Sequence, residues 1–390
     1  MTPAPNTKRQ VAVLLETSTG WGRGIIAGIY SHARQHPAWR IFVEARGRGD
    51  PVELPRNWKG DGVIARVGDL STAAYLRAQA IPVVNVSALH LPGPQFPRVA
   101  TDVEAVGQMA VRYFLERGYR HFGYLSLLGL ECVIRQRRAF TDAARAAGCD
   151  CGELGVEVSL LTQSPDWDLR IEQLSAWLKA LPKPVAVLTW NGGREVIDGC
   201  QQAGLAVPED VALLSGSEDE LLCEVSDIPI SSVRQPVEQI GLKAAAVLDA
   251  LIDGKSPRKK PIWIAPLEVI TRQSTNTLAL SDRSVAAALT FIRENASKAI
   301  RVSDVAAQVG VSRRVLERRF TEHLHRSPAE YIRRSHLDCA KLLLAQTDQP
   351  ISMVAEASGF PSQQYLTQIL RRDSGMSPLK YRRYARAGFR

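Results

Sequence analysis

The sequence predicts two unlike units in one chain: a two-lobed, doubly wound α/β unit over residues 1–275, and an all-α unit over residues 284–390 that contains a duplicated helix-turn-helix, with a linker at 276–283. Three observations predict this. Short apolar runs alternate with helical stretches from Val11 to about Pro266, as repeated β-α-β units require. No strand pattern occurs from Ser284 onward, where the text is helical with breaks at Gly310, Pro328, Pro350, Gly359 and Pro378. The charge is also divided. The chain has 49 basic and 40 acidic residues; residues 281–390 hold 19 and 10 of these, leaving 30 of each in the first 280. A basic unit attached to a neutral one points to a polyanionic partner for the basic part alone.

Composition narrows the class first. At 45% hydrophobic and 23% charged, this is ordinary globular text. That excludes a mainly disordered, collagen-like or disulfide-stapled protein. No window approaches the roughly 18 uninterrupted apolar residues of a transmembrane helix, and the polar stretch Met1 to Gln10 lacks the apolar core of a signal peptide. Six scattered cysteines, including the pair Cys149 and Cys151, read as thiols, so the expected compartment is the reducing cytoplasm, with no metal.

The expected strands are VAVLLE (11–16), WRIFVEA (39–45), DGVIARV (61–67), PVVNVS (82–87), FGYLSL (122–127), VEVSLL (156–161), PVAVLTW (184–190) and VALLSGS (211–217). Near-continuous apolar strands are what a parallel sheet covered on both faces needs. Helical periodicity falls on Val103–Arg117, Arg135–Ala147, Asp168–Ala180, Arg194–Ala203 and Val237–Ile252. Around residues 100–120 the chain passes from one sheet to another, so two lobes with a cleft between them fit the strand count better than one wide sheet. Ligands in such folds sit outside the carboxyl ends of the strands. The segments Ala100–Asp102 and Ser231–Pro236 read as hinges between the lobes. WIAPLEVI (263–270) reads as one short strand, and TRQSTNTLALSD (271–282) as a polar connecting segment.

The C-terminal unit repeats itself. VSDVAAQVGVSRRVLERRF (302–320) matches ISMVAEASGFPSQQYLTQIL (351–370), with Ala306 and Gly310 each 49 residues before Ala355 and Gly359. In a helix-turn-helix a small residue lets the two helices approach and a glycine supplies the positive φ of the turn. Ser312 and Ser362 then cap the second helix of each copy. Val315, Leu316 and Phe320 hold down the first recognition helix, and Leu366, Ile369 and Leu370 the second. The opposite faces carry Arg313, Arg314, Glu317 and Arg318, then Gln363, Gln364, Thr367 and Gln368, with Arg371 near the end of the second helix. Arginine suits guanine, glutamine adenine and glutamate cytosine, so both faces are candidate base readers. The stripe Val285, Ala288, Leu289 and Ile292 on the helix 284–295 reads equally as packing within its own unit or as a dimer contact.

On these motifs, together with the connecting YIRRSHLDCAKLLLAQTDQPI and the closing SGFPSQQYLTQILRRDSGMSPLKYRR, residues 284–386 resemble the double helix-turn-helix domain of AraC/XylS-type transcription regulators. Residues 11–275 resemble the LacI/periplasmic-binding-protein sensor lobes, on VATDVEAVGQMAVRYFLERGYRHFGYLS, AGLAVPEDVALLSGS and ISSVRQPVEQIGLKAAAVLDALIDG. A sensor of this kind fused to an AraC-type reader is similar to the xylose-operon type of regulator. The resemblance implies a periplasmic-binding-protein-like sensor plus an all-α double helix-turn-helix. The expected protein is a ligand-responsive, sequence-specific DNA-binding regulator of carbohydrate genes and not an enzyme. Its expected partners are promoter DNA, a small-molecule effector, a second copy of the chain, and RNA polymerase if it activates; no cofactor or membrane is implied.

The resemblance also directs attention to the cleft. Sugar sensors of this fold bind hydroxyls with Asp, Asn and Arg, often under an aromatic ring. Here Trp21 and Arg23 match the aromatic-x-Arg turn after the first strand. Trp190 and Asn191 occupy a turn that usually carries Asp, and Gln136, beside Arg135, stands at a usual Arg position. Ser217, Glu218 and Asp219 follow VALLSG, and Asp102 lies at the first crossing. These residues are the candidate ligand set, and the departures leave the effector open among pentoses, hexoses, uronic acids and oligosaccharide fragments. Two rival readings differ in class. The lobes could serve only for dimerisation. Alternatively Gly22, Gly24 and Ala27, with Glu44 some 20 residues on, could form a dinucleotide site, although the segment Thr17 to Trp21 separates the strand from the first glycine.

Overall fold

The computed structural model describes residues 8–36, 39–47, 49–156, 167–256, 260–276, 283–324 and 326–387. The described residues form two compact units, the first ending by residue 276 and the main body of the second beginning at residue 283.

The first unit opens with β1 (Arg9–Leu14), α1 (Gly20–Gln35), β2 (Trp39–Val43), β3 (Gly62–Ala65), α2 (Leu70–Ala78) and β4 (Val83–Asn85). Their strands make a parallel sheet in the order β2-β1-β3-β4. Alternation along β1 fills two cores: Val11 and Val13 face α1, while Ala12 and Leu14 face the α2 side with Val63 and Leu76. This explains the unbroken apolar run. β5 (Val99–Thr101) ends the first passage through this lobe.

The second lobe follows as α3 (Val103–Leu115), β6 (His121–Leu127), α4 (Glu131–Ala146), β7 (Asp150–Val156), α5 (Trp167–Ala180), β8 (Val185–Thr189), α6 (Arg194–Ala203), β9 (Val211–Ser215), α7 (Glu220–Glu224) and β10 (Ser231–Val233). The chain then returns to the first lobe as α8 (Val237–Ile252) and β11 (Ile262–Ile264), and crosses again to β12 (Val269–Ile270). The second sheet runs β12-β10-β9-β8-β6-β7, with β12 antiparallel, and β11 pairs with β5.

Several expectations are corrected. α1 and α2 are helices beyond those that periodicity predicts. Of the strand expected at 156–161, residues 157–161 lie outside the described residues, and β7 at Asp150–Val156 is a strand that was not expected. β7 is an edge strand, half exposed and containing two glycines, so it needs no apolar run. WIAPLEVI is two strands in two sheets, and Ala265–Glu268 between them is a third crossing between the lobes. Residues 271–275 are not an open linker. Ser274 and Thr275 are fully buried; Ser274 Oγ donates to Leu213 O (2.6 Å), and the Ser231 and Thr275 hydroxyls are 2.7 Å apart. Of the expected linker, residues 277–282 lie outside the described residues.

Gly24 and Gly28 of α1 and Gly241 of α8 allow close helix packing. A Cβ at Gly28 would sit 2.0 Å from Glu238 O, one at Gly24 2.3 Å from Val237 Cγ2, and one at Gly241 2.1 Å from Ile25 O. They let α1 and α8 touch backbone to backbone, while Ile25 and Ile29 pack with Ile240 and Ala244. The two helices are also tied by Asp249, which accepts from Arg9 Nη1 (2.6 Å) and Trp39 Nε1 (2.7 Å) and lies 2.6 Å from His32 Nε2. The motif therefore lies inside a helix, and does not form the turn that cradles a pyrophosphate.

The second unit contains α9 (Arg283–Glu294), α10 (Val302–Gln308), α11 (Arg313–Leu324), α12 (Pro328–Gln346), α13 (Ile351–Ala357), α14 (Gln363–Ser374) and α15 (Pro378–Ala387). The pairs α10–α11 and α13–α14 are the two helix-turn-helix motifs, each with its own core. The first core gathers Val285, Ala288, Leu289 and Ile292 of α9 with Val305, Leu316 and Phe320, so the α9 stripe packs within its own unit. The second gathers Leu337, Ala340 and Leu344 of α12 with Val354, Leu366 and Leu370. Burying each large side chain contributes about 1.5–3 kcal/mol.

Candidate ligand cleft and nucleic-acid interface

The carboxyl ends of the strands in both lobes face a cleft of about 650 Å³, within the usual range for small-molecule sites. From the first lobe come Glu16 and Trp21 after β1, Arg66 after β3 and Ser87 after β4. Thr19 caps α1 by accepting from Gly22 N (3.1 Å) and so fixes Trp21 at the first turn. Arg66 Nη1 donates to both Glu16 carboxylate oxygens (2.7 and 2.6 Å), and its guanidinium lies 5.3 Å from the centre of the Trp21 indole. Buried Asn85 sets the surrounding loops, its Oδ1 accepting from Val67 N (3.1 Å) and Ser87 N (2.8 Å).

The second lobe supplies Gln136, Trp190, Asn191, Ser217, Glu218 and Asp219. Gln136 is only 1% exposed. Tyr124 O–H donates to Gln136 Oε1 (2.7 Å), and burial pushes the Tyr124 phenol up, so it stays a donor. The Gln136 amide NH₂ is thereby left as the donor toward the cavity. Cys132 lines the same wall, and burial pushes its thiol up to about 11, so it is uncharged. Glu218 is held by Arg272 Nη2 (2.9 Å) and Arg234 Nε (3.4 Å). Asp219 Oδ2 accepts from Gly20 N (3.0 Å), a bond from one lobe to the other. Gln235 Nε2 donates to Gly216 O (2.6 Å) at the base of the same turn.

Three of the expected ligand residues lie outside the cleft lining. Arg23 is exposed and its Nη1 donates back to Thr17 O (3.0 Å). Asp102 caps α3, accepting from Glu104 N and Ala105 N (both 3.1 Å). Arg135 Nε donates to Glu104 Oε1 (2.9 Å) and its guanidinium stacks 4.7 Å from the Trp263 ring centre. Its position one residue from Gln136 turns it about 100° around the helix, onto another face. Sequence reasoning missed Glu16, Arg66, Ser87 and Gln235. Their signal was positional, since Glu16, Arg66 and Ser87 fall at the carboxyl ends of the expected parallel strands and one or two residues beyond β1, β3 and β4.

The outward faces of the two second helices are built on matching turns and caps. Gly310 and Gly359 take φ values of +69° and +74° at the two turns. Ser312 Oγ accepts from Val315 N (3.3 Å) and Ser362 Oγ from Tyr365 N (3.1 Å), capping α11 and α14. With Leu316, Phe320, Leu366 and Leu370 turned inward, Arg313, Arg314 and Arg318 stand exposed on α11, and Gln363, Gln364, Gln368 and Arg371 on α14. Arg313 Nε donates to Glu317 Oε1 (2.9 Å), and Thr367 Oγ1 to Gln363 O (2.8 Å), so those two acceptors and that hydroxyl are engaged locally. Arg319, by contrast, turns to α9 and donates to Ser284 Oγ (2.7 Å).

A two-lobed sensor with a polar cleft, joined to two helix-turn-helix readers, defines a ligand-responsive, sequence-specific DNA-binding transcription regulator. The comparisons agree segment by segment. Family models match a XylR N-terminal domain over residues 10–104, a periplasmic binding protein-like domain over 111–275 and a helix-turn-helix domain over 305–384. The xylose operon regulatory protein of Escherichia coli K12 is 30% identical over 96% of this chain and 97% of its own length, and that of Haemophilus influenzae 28% over 96% and 98%. The solved structure of a xylose-binding transcription activator, xylR, superposes with a TM-score of 0.61 at 27% identity, covering 97% of this chain and 98% of that one. The regulator CelR in complex with cellobiose, 22% identical over 69% of this chain and 86% of its own, shares the sensor fold with a TM-score of 0.53. This chain belongs to the family of xylose operon regulatory proteins. No helix among the described residues is long and apolar enough to cross a membrane.

Proposed function

We propose that the cleft takes a neutral sugar, with pentoses of the xylose type foremost, and that its occupancy sets how the C-terminal unit engages promoter DNA. In this reading residues 1–275 sense, 276–283 link and 284–390 read. The observation that carries it is the charge state of the cleft wall. Glu16, Glu218 and Asp219 already have partners within the protein, and the polar groups left to a ligand, Gln136, Ser87, Ser217 and Asn191, are uncharged and accompanied by Trp21 and Trp190. The two cations of the lining each have a carboxylate beside them, Arg66 with Glu16 at 2.6 Å and Arg194 with Asp198 at 3.8 Å, so an anionic ligand would have to compete for them, whereas hydroxyls find donors and ring faces. The relatives' names, which specify xylose operons, support the same choice.

On DNA, α11 and α14 enter successive major-groove segments about 34 Å apart, with Arg313, Arg314, Glu317, Arg318, Gln363, Gln364, Thr367 and Gln368 toward the bases and Arg371 toward phosphate. The chain acts as a cytoplasmic homodimer on paired half-sites, and contacts RNA polymerase where it activates. Isothermal titration with D-xylose, L-arabinose, D-glucose and D-glucuronate tests the sensor. A neutral pentose should bind and the uronate should not; tighter binding of the uronate would refute the assignment. Gln136→Leu should weaken the pentose by about tenfold, the loss of one buried hydrogen bond.

A further inference from the structure

The two recognition helices share one framework and differ in the chemistry they display. Superimposing the capping serines Ser312 and Ser362, fifty residues apart, sets Leu316 on Leu366 and Phe320 on Leu370, all four fully buried. The same offset sets Arg313, Arg314 and Arg318 on Gln363, Gln364 and Gln368. Every outward arginine of α11 is thus replaced by a glutamine at the equivalent place on α14. Of the two outward acids, Glu317 pairs with Arg313 and is replaced by Thr367, whose hydroxyl is turned back to its own helix, while Glu322 lies 3.7 Å from Arg318 and is replaced by Arg372.

We infer that the operator half-site is built from two boxes of unlike composition: a guanine-rich box read by α11 and an adenine-rich box read by α14. The inference rests on the DNA-reading assignment made above. A guanidinium offers two parallel N–H donors, which match the O6 and N7 acceptors of guanine. A carboxamide offers one donor and one acceptor, which match N7 and N6–H of adenine. Equivalent caps and buried anchors hold the equivalent positions, although the second turn is one residue longer, so the two helices present these side chains from matching faces. Three cations on α11 face none at the matching positions of α14. The guanine box should therefore carry most of the salt dependence arising from base-facing residues.

The test is selection of bound duplexes from a random pool by the full-length protein, with and without D-xylose. Two boxes roughly ten base pairs apart should emerge, one rich in G and one in A. Replacing a selected G·C pair in the first box should weaken binding about 5- to 150-fold. The double variant R314Q/R318Q should turn the first box from G to A and leave the second unchanged; Q364R/Q368R should turn the second from A to G. All four positions are exposed, so the variants should fold, and circular dichroism checks this. Two boxes of like composition, or a variant that selects the wild-type sequence, would overturn the inference while leaving sequence-specific reading intact. A pool that shows no enrichment despite retained DNA would overturn the reading assignment as well.

Discussion

The backbone amide of Gly20 donates to the carboxylate of Asp219 at 3.0 Å, and this bond runs from one lobe of the sensor to the other. Gly20 is the first residue of α1, so the anion meets the positive end of a sixteen-residue helix. Asp219 precedes α7 yet makes no side-chain cap there, its carboxylate being directed across the cleft.

Asp219→Ala should favour open lobes. A hydrogen bond to a charged group is worth about 1.5–3 kcal/mol, so effector affinity should fall by about 10- to 150-fold. Small-angle scattering of the unliganded variant should show a larger radius of gyration than the wild type. An unchanged radius together with unchanged affinity would show that the bond does not hold the lobes.

Arg272 joins the cleft to the end of the sensor. Its Nη2 donates to Glu218 (2.9 Å), and its Nη1 donates to Ser232 Oγ (2.9 Å) and Ile230 O (3.1 Å). Arg272→Met should leave Glu218 half-buried without its main cation and cost about 3–5 kcal/mol, read from chemical denaturation. A loss under 1 kcal/mol would mean that Arg234 alone satisfies Glu218.

Base and phosphate contacts separate by mutation. Arg318→Ala should cost about 1–3 kcal/mol on the cognate site and relax preference at one base pair, whereas Arg371→Ala should weaken all sequences alike and lower the salt slope by about 1. Competition binding on a panel of single-base-pair operator variants distinguishes them; uniform losses from both mutants would remove Arg318 from the base-reading set.

Gly28→Val should destabilise the sensor, because a side chain there meets Glu238 O and the Leu242 amide on α8. Overpacking of this kind costs about 1–3 kcal/mol, and backbone contact puts the variant toward the upper end. Differential scanning calorimetry should show the sensor transition lowered and the C-terminal transition unmoved.

His336 supplies a pH dependence. Burial lowers its pKa from the ordinary histidine value, and its Nε2 is buried without a partner beside Gly359. The unfolded chain therefore binds the proton more readily. The contribution to stability is full above the unfolded value near 6.5 and is lost as pH falls through the depressed folded value. The wild-type midpoint should drop on going from pH 7.5 to 5.5, and His336→Gln should flatten that drop; an unaltered slope in the variant would assign it to other groups.

Much of this was legible in the sequence because parallel strands and duplicated caps leave strong patterns. Val11 to Leu14 is apolar at every position since both faces of its sheet are covered, and Gly310 and Gly359 mark turns that require positive φ. What was not legible depended on distant partners. Helix α1 opens with GWGRG, which looks like loop text until α8 arrives to pack against it. WIAPLEVI gives no sign that its halves pair with Val99–Thr101 and with β10 in separate sheets. In the cleft, Trp21, Gln136 and Trp190 were found by motif, while the Glu16–Arg66 pair joins residues 50 apart in the chain.

The packing of α1 against α8 also orders events during synthesis. Ile25 and Ile29 are covered by Ile240 and Ala244, more than 200 residues later in the chain. At about 5–20 residues per second, the ribosome takes roughly 10–40 s to supply that cover. The strands β6, β8 and β9 of the other lobe lie within residues 121–215 and emerge before it. The lobe that is translated first is thus completed last. Its apolar helix stays uncovered through most of the sensor's translation, which makes the nascent chain at that stage a client for the cell's chaperones.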